Sequence, residues 1–428
     1  MCGGFLPRSF LYPGVSTMFD IFVILTLCIF AAFSLFLLYK KGLLCSFERF
    51  TICLLLTALA FVIRWAVLDY ETLDYQNFLT HWVSFFKNNG GFKALAKPVG
   101  NYNIPYLYFL AFFSYLDIRD LYLIKLLSIF FDVILAWASM LMVSRFSSSK
   151  TKLTACFFTV LFLPTVFLNG SLWSQCDAVY VALAILSIYL ALDNKPVLSM
   201  FCITLSFGFK LQSVFVMPIF AVLYFMGKFK LKHFLLFPIS YSVLVMPAVI
   251  AGRPFWDCIS LYFNQTGSIG SGLNYNSPSV YAVFRNVQNP ELASKHGIIA
   301  AFSFMLAVLI VCFVFRNKLN DKSILGAALL FSVGIPFLLP HMHDRYFFLC
   351  DILTLILAFS FPMFSFAFPL AQFASLLGYH AYLKMRYLLT MNYGASALII
   401  VIALALIFFI SSFLEKDEIY FKIPLDIS

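Results

Sequence analysis

Apolar segments near or above the length of a membrane crossing recur along almost the whole of this chain. They run at 18–39, 50–68, 121–144, 153–168, 178–192, 197–227, 233–251, 297–315, 323–339, 346–360, 362–380 and 393–413. A helix needs roughly 20 apolar residues to span the hydrocarbon core, and fewer where it is broken or buried in protein. The 197–227 run is longer than one crossing and is interrupted by Gly208, Lys210 and Gln212, so it reads as two short helices. The first run exceeds a signal-peptide core of roughly 7–15 residues and is read as a retained span. With 62% hydrophobic residues and a mean hydropathy of +0.94, the chain falls outside the range of soluble domains. The expectation is an all-α polytopic integral membrane protein, a bundle of about 11–13 transmembrane helices forming a single unit over 1–428.

The net charge of +10 does not point to nucleic acid. Lys40, Lys41, Arg145, Lys150, Lys152, Lys228, Lys230, Lys232, Arg316, Lys318 and Lys322 sit in short loops beside apolar runs. That is the signature of cytoplasmic loops facing membrane lipid. Two longer polar segments, 69–120 and 252–296, then fall on the outer face. Within the first, 75–88 carries Phe78, Trp82, Phe85 and Phe86 at helical spacing and stops at Gly90-Gly91, while 104–116 opens with Pro105 near its start. Both are expected as helices lying in the interface plane. Asn169-Gly-Ser171 and Asn264-Gln-Thr266 are glycosylation triplets on the same face. The ten Cys lie mostly inside apolar runs without regular spacing and imply neither a disulfide framework nor a metal site.

Topology also gathers the scarce polar residues on that outer face. They are Asp69, Glu71 and Asp74; Tyr102 and Asn103; Trp173, Gln175 and Asp177 with Lys210 and Gln212; and His341, His343, Asp344 and Arg345. Ionisable groups in membrane segments mark function by default, although a lone Lys commonly snorkels and loop acids are commonly only solvated. Four such clusters on one side outweigh either bland reading of one of them. A Lys and an Arg at an apolar boundary suit a phosphate, and a carboxyl beside them can take a proton from an attacking hydroxyl. His341 and His343 lack the third and fourth ligands that zinc wants. The chain has no GxxxxGK[ST], HExxH or GxSxG motif.

With those residues in view, the chain resembles the GT-C class of membrane glycosyltransferases that use polyprenyl- or dolichyl-phosphate sugars. The endoplasmic-reticulum glucosyltransferases of lipid-linked oligosaccharide assembly carry Gly-Asp-Tyr-Glu then His-Trp in their first luminal loop. Leu73-Asp74-Tyr75-Gln76 and His81-Trp82 stand in that place. Asn101-Tyr102-Asn103-Ile104-Pro105 echoes Asp-Tyr-Pro-Pro, Lys210-Leu211-Gln212 echoes Lys-Gln-Met, and His341-Met342-His343-Asp344-Arg345 echoes His-x-His-Glu-Lys. Bacterial and archaeal relatives with Trp-x-Gln-x-Asp and His-Met-His-Glu-Arg-Tyr-Phe are similar to 173–177 and 341–347. Leu73 and Asn101 depart from the pattern. The resemblance implies a GT-C-like bundle and an inverting hexosyltransferase in a bacterial plasma membrane or an endoplasmic-reticulum membrane. It would move a hexose, glucose or mannose first, from the carrier phosphate to a glycan or lipid-linked acceptor, with no metal or cofactor. Carried over by position, Asp74 is the catalytic base, and Lys210, His343 and Arg345 bind the donor phosphate. Tyr102, Asn103, Trp173, Gln175, Asp177, Gln212, His341 and Asp344 line the sugar and acceptor sites. Two other classes stay open: a transporter or flippase of a lipid-linked sugar, and a non-catalytic subunit of an envelope-polysaccharide assembly.

Overall fold

A computed structural model describes residues 17–262, 272–284 and 287–414. The chain is an all-α polytopic membrane protein. Helix α1 (Thr17–Lys40) and α2 (Phe47–Ala66) form the first hairpin, with the Ser46 hydroxyl capping α2 by accepting from Arg49 N–H. A segment of short helices follows: a π-turn at Tyr75–Leu79, α3 (Thr80–Asn88) and α4 (Ile104–Phe113). Next come α5 (Asp120–Val143), α6 (Lys150–Phe162), α7 (Pro164–Phe167) with a π-turn at Leu168–Leu172, α8 (Asp177–Leu192), α9 (Pro196–Phe209) and α10 (Ile219–Phe225). The chain continues through α11 (Leu231–Phe234), α12 (Leu236–Ile250) and α13 (Phe255–Ile259). It closes with α14 (Pro290–Val314), α15 (Asp321–Leu338), α16 (Phe348–Ser360), α17 (Ala367–Leu383) and α18 (Asn392–Ser411).

Among the described residues, seven helical segments are long and apolar enough to cross a membrane alone, and an eighth if α6 and α7 count as one span bent by 43°. Pro164 explains the bend, since it cannot supply the amide that would continue α6. The shorter apolar helices α8, α9 and α16 are packed among others, where short or broken membrane helices are tolerated. Helix α8 is buried on nearly every face against α5 and α9. Ser187 and Ser199 bridge α8 and α9 by reciprocal hydroxyl-to-carbonyl bonds of 2.8 and 2.7 Å. By contrast α12 and α14 bury only 17% of their spanning windows, against 83% for α15, which makes them the lipid-facing wall.

The Lys210 interruption is as expected: α9 stops at Phe209, and α10 begins after a 3₁₀ turn at Leu211–Phe215. Three expectations need correction. Helix α4 is not a surface helix; it is apolar all round and buried beneath α3, α9 and α12. Helix α14 begins at Pro290 under an Asn289 cap, so the second polar segment ends earlier than 296. Asn169 is fully buried and cannot carry a glycan, while the triplet at Asn264 lies outside the described residues.

The basic loops meet at one end of the bundle. Arg145 pairs with Asp321 at 2.5 Å, Arg49 donates to Thr151 at 3.1 Å, and Lys228 donates to Asn194 at 2.6 Å. The polar clusters lie at the other end.

Candidate functional site

The backbone leading to Asp74 is held before Asp74 itself is reached. Helix α2 ends with carbonyls that have no intrahelical partner. Lys125 of α5, fully buried, donates to three carbonyls there: Val67 at 3.1 Å, Leu68 at 2.8 Å and Tyr70 at 2.7 Å. One turn lower, Arg64 pairs with Asp132 of α5 at 2.9 Å, both buried. Farther on, the Thr72 hydroxyl donates to the Trp173 carbonyl at 3.0 Å. Asp69 and Glu71 face Arg119 and Tyr122 instead, so these acids form a separate cluster.

Asp74 Oδ2 accepts two hydrogen bonds, from Trp173 Nε1 at 2.9 Å and Gln175 Nε2 at 2.8 Å. Its own N–H donates to the Tyr382 hydroxyl at 3.0 Å, and the Tyr382 ring stacks on Trp173 at 4.1 Å. Gln175 is in turn fixed by Tyr102, whose hydroxyl donates to Oε1 at 3.1 Å. Both π-turns of the described chain adjoin this cluster, one just after Asp74 and one just before Trp173. Ser174 (φ 67°) and His341 (φ 62°) lie in the left-handed region, a strain of roughly 1–3 kcal/mol each that surrounding packing must hold.

Asp177 opens α8 and is fully buried, whereas Asp74 is half-buried. Lys210 pairs with its Oδ1, and Asn169 Nδ2 donates to its Oδ2 at 2.6 Å. Arg345 bridges the two halves. Its guanidinium lies 3.8 Å from Asp74, 3.6 Å from Asp177 and 3.7 Å from Asp344, and covers the Trp173 ring at 5.3 Å. These contacts are longer than well-formed hydrogen bonds, and among the described residues Arg345 Nε and Asp344 Oδ1 are buried with no hydrogen-bond partner. Burial disfavours the charge on Arg345, but Asp177, Asp344 and Asp74 outweigh it and hold the group above its ordinary value. Burial pushes the Asp344 carboxyl up to about 7; Arg345 opposes this, while Asp74 and Asp177 add to it. Burial, then the charge of Arg345, lowers His343 to about 4.

The structure therefore brings Asp74, Tyr102, Trp173, Gln175, Asp177, Lys210, Asp344 and Arg345 together. His343 borders the cluster, stacked on Tyr275 at 4.7 Å. The parallel strand pair β1 (Asn274–Tyr275) and β2 (Met342–His343) sets that stacking. Gln212 lies beside Tyr346, with its Oε1 buried and without a hydrogen-bond partner among the described residues. Asn103 and His341 do not reach in. Asn103 caps α4 through Ile104 N–H and donates to Tyr241 at 2.7 Å. His341 has both ring nitrogens engaged, with the Gly272 carbonyl at 2.7 Å and Ser294 at 3.3 Å. A side chain at Gly378 would meet the Asp344 carbonyl at 2.9 Å, so that glycine lets α17 approach the loop. Among the described residues no group of three or more His, Cys, Asp or Glu could hold a metal ion. Tyr382, Lys125 and the Arg64–Asp132 pair were not singled out from sequence, and Asn169 was read only as part of a glycosylation triplet. Of these only the charged residues inside apolar runs were a readable signal.

Fold and site define a polytopic membrane protein with a carboxyl–guanidinium cluster built at the mouth of its central helices. Compared with models of known families and with curated proteins, the chain matches none.

Proposed function

We propose that this chain is a membrane glycosyltransferase of the GT-C type, moving a hexose from a polyprenyl-phosphate carrier to a glycan or lipid-linked acceptor. The observation that carries the reading is the pairing of Asp74, with one oxygen fixed by Trp173 and Gln175, with Arg345 and Lys210 in the same cluster. In the reaction the acceptor hydroxyl gives its proton to Asp74 as its oxygen bonds to the sugar's anomeric carbon. The bond from that carbon to the carrier phosphate breaks, and the phosphate leaves with the electron pair, so the centre inverts. The fixed oxygen of Asp74 aims the other at the hydroxyl. Arg345 and Lys210 stabilise the charge gathering on the phosphate. The membrane would be a bacterial plasma membrane or the endoplasmic reticulum, with the site on the non-cytoplasmic face.

The test is transfer of radiolabelled glucose, mannose or galactose from short-chain polyprenyl phosphates into membrane glycans. Wild type should transfer one of them, and Asp74→Asn at equal membrane levels should lose at least roughly a hundredfold in kcat. Unchanged activity in Asp74→Asn would remove the base. Transport of a lipid-linked sugar is the second reading, favoured by the ionisable groups Arg64, Asp132 and Asp351 buried inside membrane helices. Counterflow in proteoliposomes without product would select it.

A further inference from the structure

Arg253 lies outside the cluster described above, at the same end of the bundle. It follows the last turn of α12, where Gly252 (φ 113°) reverses the chain and Arg253 N–H bonds back to Ala248 at 3.0 Å. Only 6% of the residue is exposed, yet Nε and Nη1 are buried without any hydrogen-bond partner among the described residues. No carboxyl among the described residues pairs with it, Asp257 four positions on is exposed, and the sequence from there to Glu291 holds no other acid. A buried guanidinium left with unused donors is strongly unfavourable unless an anion completes it.

What surrounds Arg253 identifies the anion. Helix α12 belongs to the lipid-facing wall, and Ile239, Val243, Met246 and Ile250 form one exposed apolar stripe leading to this turn. Trp256, 75% exposed, sits just beyond, as an aromatic anchor at headgroup level does. A side chain at Gly252 would touch Ala96 at 3.6 Å, so the exposed Lys97 adjoins the same turn. Acyl chains against the stripe would place a headgroup phosphate beside the guanidinium, which holds phosphate oxygens through paired N–H donors.

We propose that Arg253 is the centre of a phospholipid-binding site, taking the phosphate of a membrane lipid whose chains lie along α12. The site is separate from the Asp74 cluster and does not depend on its reading. The full-length protein in a nonionic detergent can be titrated with phosphatidylglycerol, with diacylglycerol of the same chains, and with inorganic phosphate, following thermal unfolding. Phosphatidylglycerol should stabilise, and the other two should not. Arg253→Gln should raise the half-saturating phosphatidylglycerol concentration by at least about tenfold, Arg253→Lys by less, and Lys210→Gln not at all. Equal stabilisation by diacylglycerol, or by inorganic phosphate alone, would overturn a lipid-phosphate site. So would an unchanged half-saturation in Arg253→Gln, or no stabilisation of wild type. If Arg253→Gln does not fold, Arg253→Lys decides: half-saturation equal to wild type would exclude recognition by the guanidinium.

Discussion

Asp344 offers a test of the cluster that needs no substrate. The residue is 3% exposed, one carboxyl oxygen has no partner among the described residues, and its value is about 7 against an ordinary 3.8. The folded chain thus binds this proton more tightly than the unfolded chain does. The resulting stability is complete below the ordinary value and is lost as pH rises through about 7. The two values lie about three pH units apart, and at roughly 1.4 kcal/mol per unit the full loss is on the order of 4 kcal/mol. Asp344→Asn removes this titration while keeping the shape. The stability of the variant relative to wild type should therefore rise by on the order of 3 kcal/mol between pH 5 and pH 8. His343 titrates in both proteins; its stabilising effect is complete above 6.5 and is lost as pH falls through about 4, so it largely cancels in the difference. The assay is unfolding in mixed detergent micelles across that pH range. Stability curves that stay parallel would refute the account of Asp344 as a carboxyl held neutral by burial.

Three further outcomes follow from single contacts. Gln175→Leu deletes one of two donors to Asp74 and should lower kcat for sugar transfer at least roughly tenfold with little change in donor KM, read by steady-state kinetics. Lys125→Met removes the donor to the Leu68 and Tyr70 carbonyls, while Val67 keeps the Tyr70 N–H, and should destabilise by roughly 3 kcal/mol, with Lys125→Arg milder, read by unfolding in detergent. Asn169, fully buried with its amide bonded to Asp177 and Tyr379, should carry no glycan on peptide mapping after expression in a glycosylating host.

The membrane helices are legible because apolar length is a one-dimensional signal, and Lys210 is legible because a charge inside an apolar run has few tolerable positions. That Asp74, Asp177, Lys210 and Arg345 share one end of the bundle follows from sidedness: basic loops at one end leave these residues at the other. What sidedness cannot give is rotation about each helix. Asn103 and His341 occupy the expected end, but their hydrogen-bonding groups are spent on α4 and on the 272–273 backbone. Tyr382 comes from a helix more than three hundred residues away from Asp74. Its stacking on Trp173 depends on how α17 packs, which neither periodicity nor motif spacing encodes. Helix α4 reads as interfacial by length, but a ten-residue helix apolar on every side has no polar face to give water and is buried instead.

Charge accounting within the cluster leads to a last prediction, tied to the proposed reaction. Lys210 is closely paired with Asp177, whereas Arg345 makes only contacts of 3.6, 3.7 and 3.8 Å to three carboxyls, so Arg345 is the cation with the freer donors. A lipid phosphodiester is a monoanion across the neutral range and brings no titration of its own. His343, lowered to about 4, stays neutral there as well. Asp344, at about 7, is then the group whose ionisation adds a negative charge 3.7 Å from Arg345 as pH rises. Donor affinity should therefore weaken above pH 7, approaching tenfold per pH unit at most, while below pH 7 it should level off. Asp344→Asn should flatten that dependence and leave the donor KM at pH 8 near the wild-type value at pH 6. A wild-type KM that is constant from pH 6 to 9 would show that the phosphate does not sit beside Arg345. A dependence that survives in Asp344→Asn would show that another group carries the proton.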